Sequence, residues 1–169
     1  MSTPCGMSKN KRHIIIEKKH RLPFGLYRGE RIVAFTGNVK NRAPLFSKEI
    51  AFQQIEKILL ETINKHDCDA YIYLFMPDHF HFILAGKNSE SNIKKCIDSF
   101  KQKSGYWLHK NLPDFKWQKD YYDHILRGGE DLFNQIRYIL NNPVKAGLVK
   151  YWKDYKKCGS TVYNLDDWE

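Results

Sequence analysis

Tyr71-Ile-Tyr-Leu-Phe-Met-Pro-Asp-His-Phe-His-Phe-Ile-Leu84 is the stretch that decides the fold. It holds two β-prone runs, Ala70 to Phe75 and His79 to Ala85, split by Met76-Pro77-Asp78. That pattern reads as a strand pair or one strongly bent strand. Side chains alternate faces along a strand, so Phe80 and Phe82 share one face while His79 and His81 share the other. The phenylalanines can anchor the strand in a core. The imidazoles then face whatever covers the opposite side, roughly 6–7 Å apart at the backbone and within reach of one bridging ion. Two ordinary histidines on a half-exposed strand would give the same pattern, so the pair needs a second element to carry meaning.

Upstream of this stretch, Tyr27 to Thr36 reads as a strand, because β-branched and aromatic residues cluster before Gly37-Asn38. A loop from Asn38 to Phe46 follows. Ser47 has the character of a helix N-cap, with Phe52, Ile55, Ile58, Leu59 and Ile63 at helical spacing and an end near Lys65-His66. Ile14 to Ile16 is a short β-prone run, an expected edge strand. Residues 1–12 are polar and then basic and are expected to be disordered, which leaves 13–169 as one domain with a basic, aromatic C-terminal tail.

Downstream, Ser91-Asn92 opens a second helix with Ile93, Cys96, Ile97, Phe100 and Trp107 as its apolar members and Lys94, Lys95, Lys101 and Lys103 on a charged face. Pro113 ends that segment, and Phe115 to Leu126 alternates well enough to be another strand. After the break at Gly128-Gly129, Glu130-Asp131 begins a third helix with acids where the macrodipole favours them. Pro143 is expected to stop it. Few elements with short connections point to an α+β fold, an antiparallel sheet with helices packed mainly on one face.

The third helix supplies the second element. With Leu132 at zero and about 100° per residue, Phe133, Ile136, Ile139 and Leu140 fall in one apolar arc. Tyr138 falls near about 240° and Asn142 near about 280°, turned away from that arc and toward each other. A surface tyrosine and a helix-ending asparagine are the bland readings, and neither explains a shared face. A tyrosine hydroxyl is a poor nucleophile at neutral pH, with a pKa of about 10. It can attack a phosphodiester when a divalent ion draws charge from the phosphate oxygens. Two imidazoles and an amide oxygen would make a neutral, open site for such an ion. Nitrogen ligands favour Mn²⁺ over Mg²⁺, although Mg²⁺ could serve.

Composition sets outer bounds. In 169 residues Lys and Arg outnumber Asp and Glu by 28 to 19, a formal charge of +9 that favours an anionic partner. No apolar run approaches the roughly 20 residues of a membrane span, and a cytoplasmic protein with no membrane partner is expected. Cys5, Cys68, Cys96 and Cys158 are scattered without metal-ligand spacing and read as free thiols or core packing. No phosphate-binding loop of the G-x-x-x-x-G-K-[ST] type is present.

Met76-Pro-Asp-His-Phe-His-Phe-Ile-Leu84 resembles the His-hydrophobic-His signature of single-tyrosine HUH transposases. Trp117-Gln-Lys-Asp-Tyr-Tyr-Asp-His-Ile-Leu-Arg127 and Tyr138-Ile-Leu-Asn-Asn-Pro-Val-Lys-Ala-Gly-Leu-Val149 resemble two blocks typical of the REP-associated tyrosine transposases, an IS200-like branch. Tyr27-Arg-Gly through Asn41-Arg-Ala-Pro-Leu-Phe46 is similar to that group's first strand and loop. The resemblance implies a ferredoxin-like (RRM-like) HUH endonuclease fold acting on single-stranded DNA with hairpin or inverted-repeat, REP-like elements. It implies a 5′-phosphotyrosine intermediate, Mg²⁺ or Mn²⁺ as cofactor, and action as a monomer or a homodimer.

Carried over by position, Tyr138 is the nucleophile and His79, His81 and Asn142 are the metal ligands. The family usually shows Asn after Met-Pro, where this chain has Asp78, which adds a negative charge near the site. Lys94, Lys95, Lys101, Lys103 and Lys145 are candidates for tracking the DNA backbone. Trp117, Tyr121 and Tyr122 are candidate stacking platforms, and Tyr121 and Tyr122 are also rival nucleophiles. His124 and Arg127 lie in a motif block as further DNA-binding candidates. Two other classes stay open: a nucleic-acid-binding module without catalysis, and a metal-dependent nuclease using water, which would need a carboxylate base beside the histidines.

Overall fold

A computed structural model describes residues 23–169. The expectations for residues 1–12, for Ile14 to Ile16 and for Cys5 lie outside the described residues. Strands β2 (Cys68–Met76) and β3 (His79–Gly86) form the hairpin expected from sequence, joined by the two residues Pro77 and Asp78 with Met76 opposite His79. Strand β1 (Ile32–Val39) pairs with β3 on one side and with β4 (Trp117–Leu126) on the other. A two-residue β5 (Cys158–Gly159) from the tail adds to β2, giving an antiparallel sheet in the order β4-β1-β3-β2-β5.

Helix α1 (Glu49–Lys65) joins β1 to β2, and α2 (Ile93–Asn111) joins β3 to β4. This βαββαβ order with interleaved strands is the ferredoxin-like arrangement, so the expected α+β class is borne out. Helices α1 and α2 cover one face. Ile55, Leu59, Ile97 and Phe100 from the helices join Phe35, Phe75, Phe80 and Phe82 from the sheet in the main core. The Phe80 and Phe82 rings stack at 4.1 Å, and burying each contributes about 1.5–3 kcal/mol.

The other face carries α3 (Glu130–Leu140). Its Leu132, Ile136, Ile139 and Leu140 join Ile72, Leu74, Met76, Ile83 and Leu126 in a second cluster, onto which Trp152, Tyr155 and Trp168 of the tail also pack. Phe133, expected in the buried arc, is 40% exposed and packs instead in tilted contacts with Tyr163 and Trp168 of the tail.

Several local expectations are corrected. Strand β1 starts at Ile32, and Tyr27 ends a single 3-10 turn where its buried hydroxyl donates to the Asp123 carboxylate. Gly37-Asn38 lies inside β1 rather than after it. A Cβ at Gly37 would stand 2.3 Å from the Phe80 ring, so the glycine is there for the close approach of an aromatic and not for a turn. Ser47 belongs to another 3-10 turn, and Lys48 precedes α1 without a capping side chain. Asn92 does cap α2, its side chain accepting the Lys95 amide at 3.0 Å. Pro143 does more than end a helix: α3 stops at Leu140, and Asn142-Pro143 opens the short α4 (Asn142–Lys145). Proline suits a first helical turn because its missing N–H would be unpaired there anyway.

Candidate functional site

His79 and His81 stand on the α3 face of β3, as their spacing predicts. Their Nε2 atoms are 3.1 Å apart. Each Nδ1 is engaged elsewhere: His79 Nδ1 lies 2.6 Å from Asp78 Oδ1, and His81 Nδ1 lies 3.0 Å from the Thr36 hydroxyl. With the proton on Nδ1 in both rings, two Nε2 lone pairs stand on atoms 3.1 Å apart. Two bare lone pairs that close repel, so the arrangement calls for a shared proton or a cation between them. Two ligands each about 2.1 Å from an ion at right angles lie about 3.0 Å apart, close to the gap seen here.

Burial, then the neighbouring His79 and the Arg42 charge, push His81 down to about 4, which keeps its imidazole neutral and able to ligate. Asp78 is partly buried, which alone would raise its pKa. Its bond to His79 and the Arg42 guanidinium outweigh that and hold the carboxyl below the usual range. A carboxylate on the far nitrogen of a metal-ligating histidine fixes the ring and its tautomer.

Arg42 was not singled out by sequence reading. Its Nε donates to Asp78 Oδ2 at 2.9 Å and its Nη1 to Asn38 Oδ1 at 2.6 Å, with Asn38 opposite His79 in the sheet. The signal was hidden because the contact depends on the backbone of a loop. Asn41 and Arg42 both have positive φ, at 59° and 55°.

Tyr138 is 54% exposed near the end of α3, and the Lys145 ammonium lies 4.2 Å from its ring centre. Asn142 stands beyond the helix break, half-buried. Among the described residues its buried Nδ2 has no hydrogen-bond partner, which calls for an explanation in a folded protein. A half-turn about χ2 puts the amide oxygen where that nitrogen lies. Among the described residues no group of three or more His, Cys, Asp or Glu could hold a metal ion, so a centre at the histidine pair needs a third ligand of another type. The amide of Asn142 has the required chemistry.

The other candidates separate by face. Helix α2 lies across the sheet from the histidines, so Lys94, Lys95, Lys101 and Lys103 do not join them. Lys94 pairs with Asp98, and Lys101 donates to the carbonyls of Gln118 and Lys119. Trp117 packs among Phe46, Phe80 and Phe100 with its Nε1 donating to the Ser104 hydroxyl at 2.8 Å. Tyr121 is buried against Phe35 with its hydroxyl on Asp98. Trp117 is partly buried against the core and Tyr121 lies within it, both on the α2 face away from the histidines, and Tyr121 is too enclosed to serve as a nucleophile. Tyr122 differs. It is 63% exposed and opposite Thr36, which is opposite His81, so all three share a face across neighbouring strands. His124 and Arg127 line a cavity of about 460 Å³ shared with Asp131, Asn134 and Gln135 of α3. No helix among the described residues is long and apolar enough to cross a membrane.

The family profile described as Transposase IS200 like matches residues 32–142, a span that holds β1 to β4, both histidines, Tyr138 and Asn142. The chain belongs to the IS200-like transposase family. Its relatives lie in the branch that the motif blocks resemble. A REP-associated tyrosine transposase of Escherichia coli is 24% identical over 72% of this chain and 71% of its own length. A Haemophilus influenzae protein named for the same branch is 28% identical over 56% of this chain, which spans 60% of that relative's length. Among solved structures, a REP-associated tyrosine transposase bound to a REP hairpin has the same fold. Its TM-score is 0.70 at 21% identity, covering 86% of this chain and 82% of that one. A transposase-like protein of Deinococcus radiodurans matches at a TM-score of 0.50 and 20% identity, over 74% of this chain and 96% of the other.

Proposed function

We propose that this IS200-like family member is a strand-transferring transposase and endonuclease. Its substrate would be single-stranded DNA with hairpin, REP-like elements. The observation that carries this is the convergence of the two Nε2 atoms, 3.1 Å apart with both Nδ1 atoms engaged, on the sheet face that carries α3. His79, His81 and Asn142 would hold Mg²⁺ or Mn²⁺, which when bound supplies charge withdrawal from the phosphate oxygens.

The Tyr138 hydroxyl attacks the scissile phosphorus. A bond forms between the phenolic oxygen and phosphorus as the bond to the departing 3′ oxygen breaks. The phenol proton passes to solvent, and the 3′ oxygen leaves as a hydroxyl after taking up a proton. The 5′-phosphotyrosine keeps a phosphodiester, so attack by another 3′-hydroxyl can rejoin strands without a nucleotide cofactor. Asp78 is held by His79 and Arg42, which argues against its acting as the base of a water-using nuclease.

The test is a denaturing gel of full-length protein, Mn²⁺ and 5′-labelled or 3′-labelled hairpin DNA. A covalent adduct on the 3′-labelled fragment is expected, lost in Tyr138→Phe and retained in Tyr122→Phe. Cleavage without any adduct would favour a nuclease, and binding alone would leave a non-catalytic module.

A further inference from the structure

We propose that Arg42 is a phosphate-binding residue of this centre. Asp78 and Asn38 would hold it on the rim of the imidazole pair, and its ligand would be the phosphodiester that is cut. The proposal deepens the function given above and rests on it.

Three observations converge on this loop. The first is strain: Asn41 and Arg42 are consecutive non-glycine residues in the left-handed region. Such backbone persists where the surroundings over-determine it, and it gathers at ligand clamps. Here the surroundings do so. Val39 N–H donates to the Asp78 carbonyl at 2.9 Å, Phe46 N–H to that of Pro77 at 2.9 Å, and Lys40 N–H to that of Lys116 at 2.8 Å. The loop is stitched to the hairpin turn that precedes His79 and to Lys116 just ahead of β4.

The second observation is how the guanidinium is shared. Among the described residues Nε is committed to Asp78 and one Nη1 hydrogen to Asn38, which leaves three of the five N–H donors for a ligand. The side chain is 54% exposed, so those donors are reachable. A planar fork of this kind suits two oxygens of one phosphate.

The third is charge. A fixed cation beside two neutral ligands opposes a divalent ion unless anions lie between. Asp78 supplies one negative charge, divided between His79 and Arg42. The remainder has to arrive with the substrate, whose phosphate carries one negative charge and gains a second as phosphorus becomes five-coordinate. Asp78 is then a positioning residue, orienting one imidazole and one guanidinium with its two oxygens.

The alternative is that Arg42 only ties the loop to the hairpin. Full-length Arg42→Gln and Arg42→Lys separate the two through three readouts: Mn²⁺ affinity by calorimetry, melting temperature, and adduct formation with a hairpin oligonucleotide. A fourth readout is affinity for that oligonucleotide in EDTA across a salt series. Arg42→Gln is expected to slow adduct formation about 100-fold, with Mn²⁺ affinity equal to or above that of wild type. Arg42→Lys should recover part of the rate. In EDTA, Arg42→Gln should lower the slope of log affinity against log salt by about 0.7.

An adduct rate within about threefold of wild type overturns the proposal. So does a loss of rate that merely follows a fall in melting temperature and Mn²⁺ affinity. If Arg42→Gln does not fold, Arg42→Lys is judged by the same limits. A wild-type protein that forms no adduct defeats the proposed function instead, and the EDTA series alone then decides whether Arg42 touches phosphate.

Discussion

The Lys145 ammonium sits 4.2 Å from the centre of the Tyr138 ring, folded back from α4 onto the end of α3. The break at Asn141-Asn142 makes this possible, since a side chain one helix further on reaches back over the ring. Lys145 thus holds the phenol's orientation and brings a positive charge beside it. A cation over an exposed aromatic face contributes about 0.5–1 kcal/mol. Lys145→Gln is therefore expected to slow adduct formation about two- to fivefold, as read by quenched-gel time courses, with melting temperature lowered by no more than about 4 °C.

Thr36 holds His81 from the strand next door. Outer partners of ligating histidines typically matter about 10–100-fold in metal affinity. Thr36→Val keeps the shape and removes the hydroxyl. Calorimetric titration with Mn²⁺ should show affinity lower by about tenfold, and an unchanged affinity would mean that the Nδ1 bond does not set the ring.

Gly37→Ala should destabilise the fold by about 1–3 kcal/mol, because the added methyl meets the Phe80 ring at 2.3 Å. Urea midpoints measure it. In a Phe80→Leu background the same change should cost less, because the flat ring no longer crosses the strand.

Alkaline stability should respond to Tyr155. Its hydroxyl donates to the Phe75 carbonyl at 2.6 Å, and burial, then the nearby Cys158, push it up to about 12 from 10. The folded state favours the neutral form, so this contribution is complete below pH 10 and disappears as pH rises through 12. Tyr155→Phe should flatten the melting-temperature curve across that window.

The hairpin, α1 and α2 were legible because their periodicities are long and regular, and the facing of His79 and His81 followed from alternation alone. Other parts depended on contacts that no periodicity encodes. Gly37 looks like a turn signal until Phe80 is laid across it. Trp117 and Tyr121 look like stacking residues because aromatic content does not say which face of β4 is covered. The lysines of α2 look like one charged set, yet Lys101 reaches the β4 carbonyls while Lys95 and Lys103 lie toward His66, and a sheet stands between all of them and the histidines. Arg42 enters through two left-handed residues whose identity gives no hint of that backbone. Pro143 reads as a stop, while its local chemistry equally suits the first turn of a new helix.

The turn between β2 and β3 holds only Pro77 and Asp78, and that brevity makes the centre a matter of parity. A slip of β3 by one residue against β1 and β2 would turn both imidazoles into the phenylalanine layer and put Phe80 and Phe82 on the α3 face. A change of two residues would restore the facing. The pairing register of β3 can therefore shift only by even steps if the imidazoles and the phenylalanines are to keep their faces.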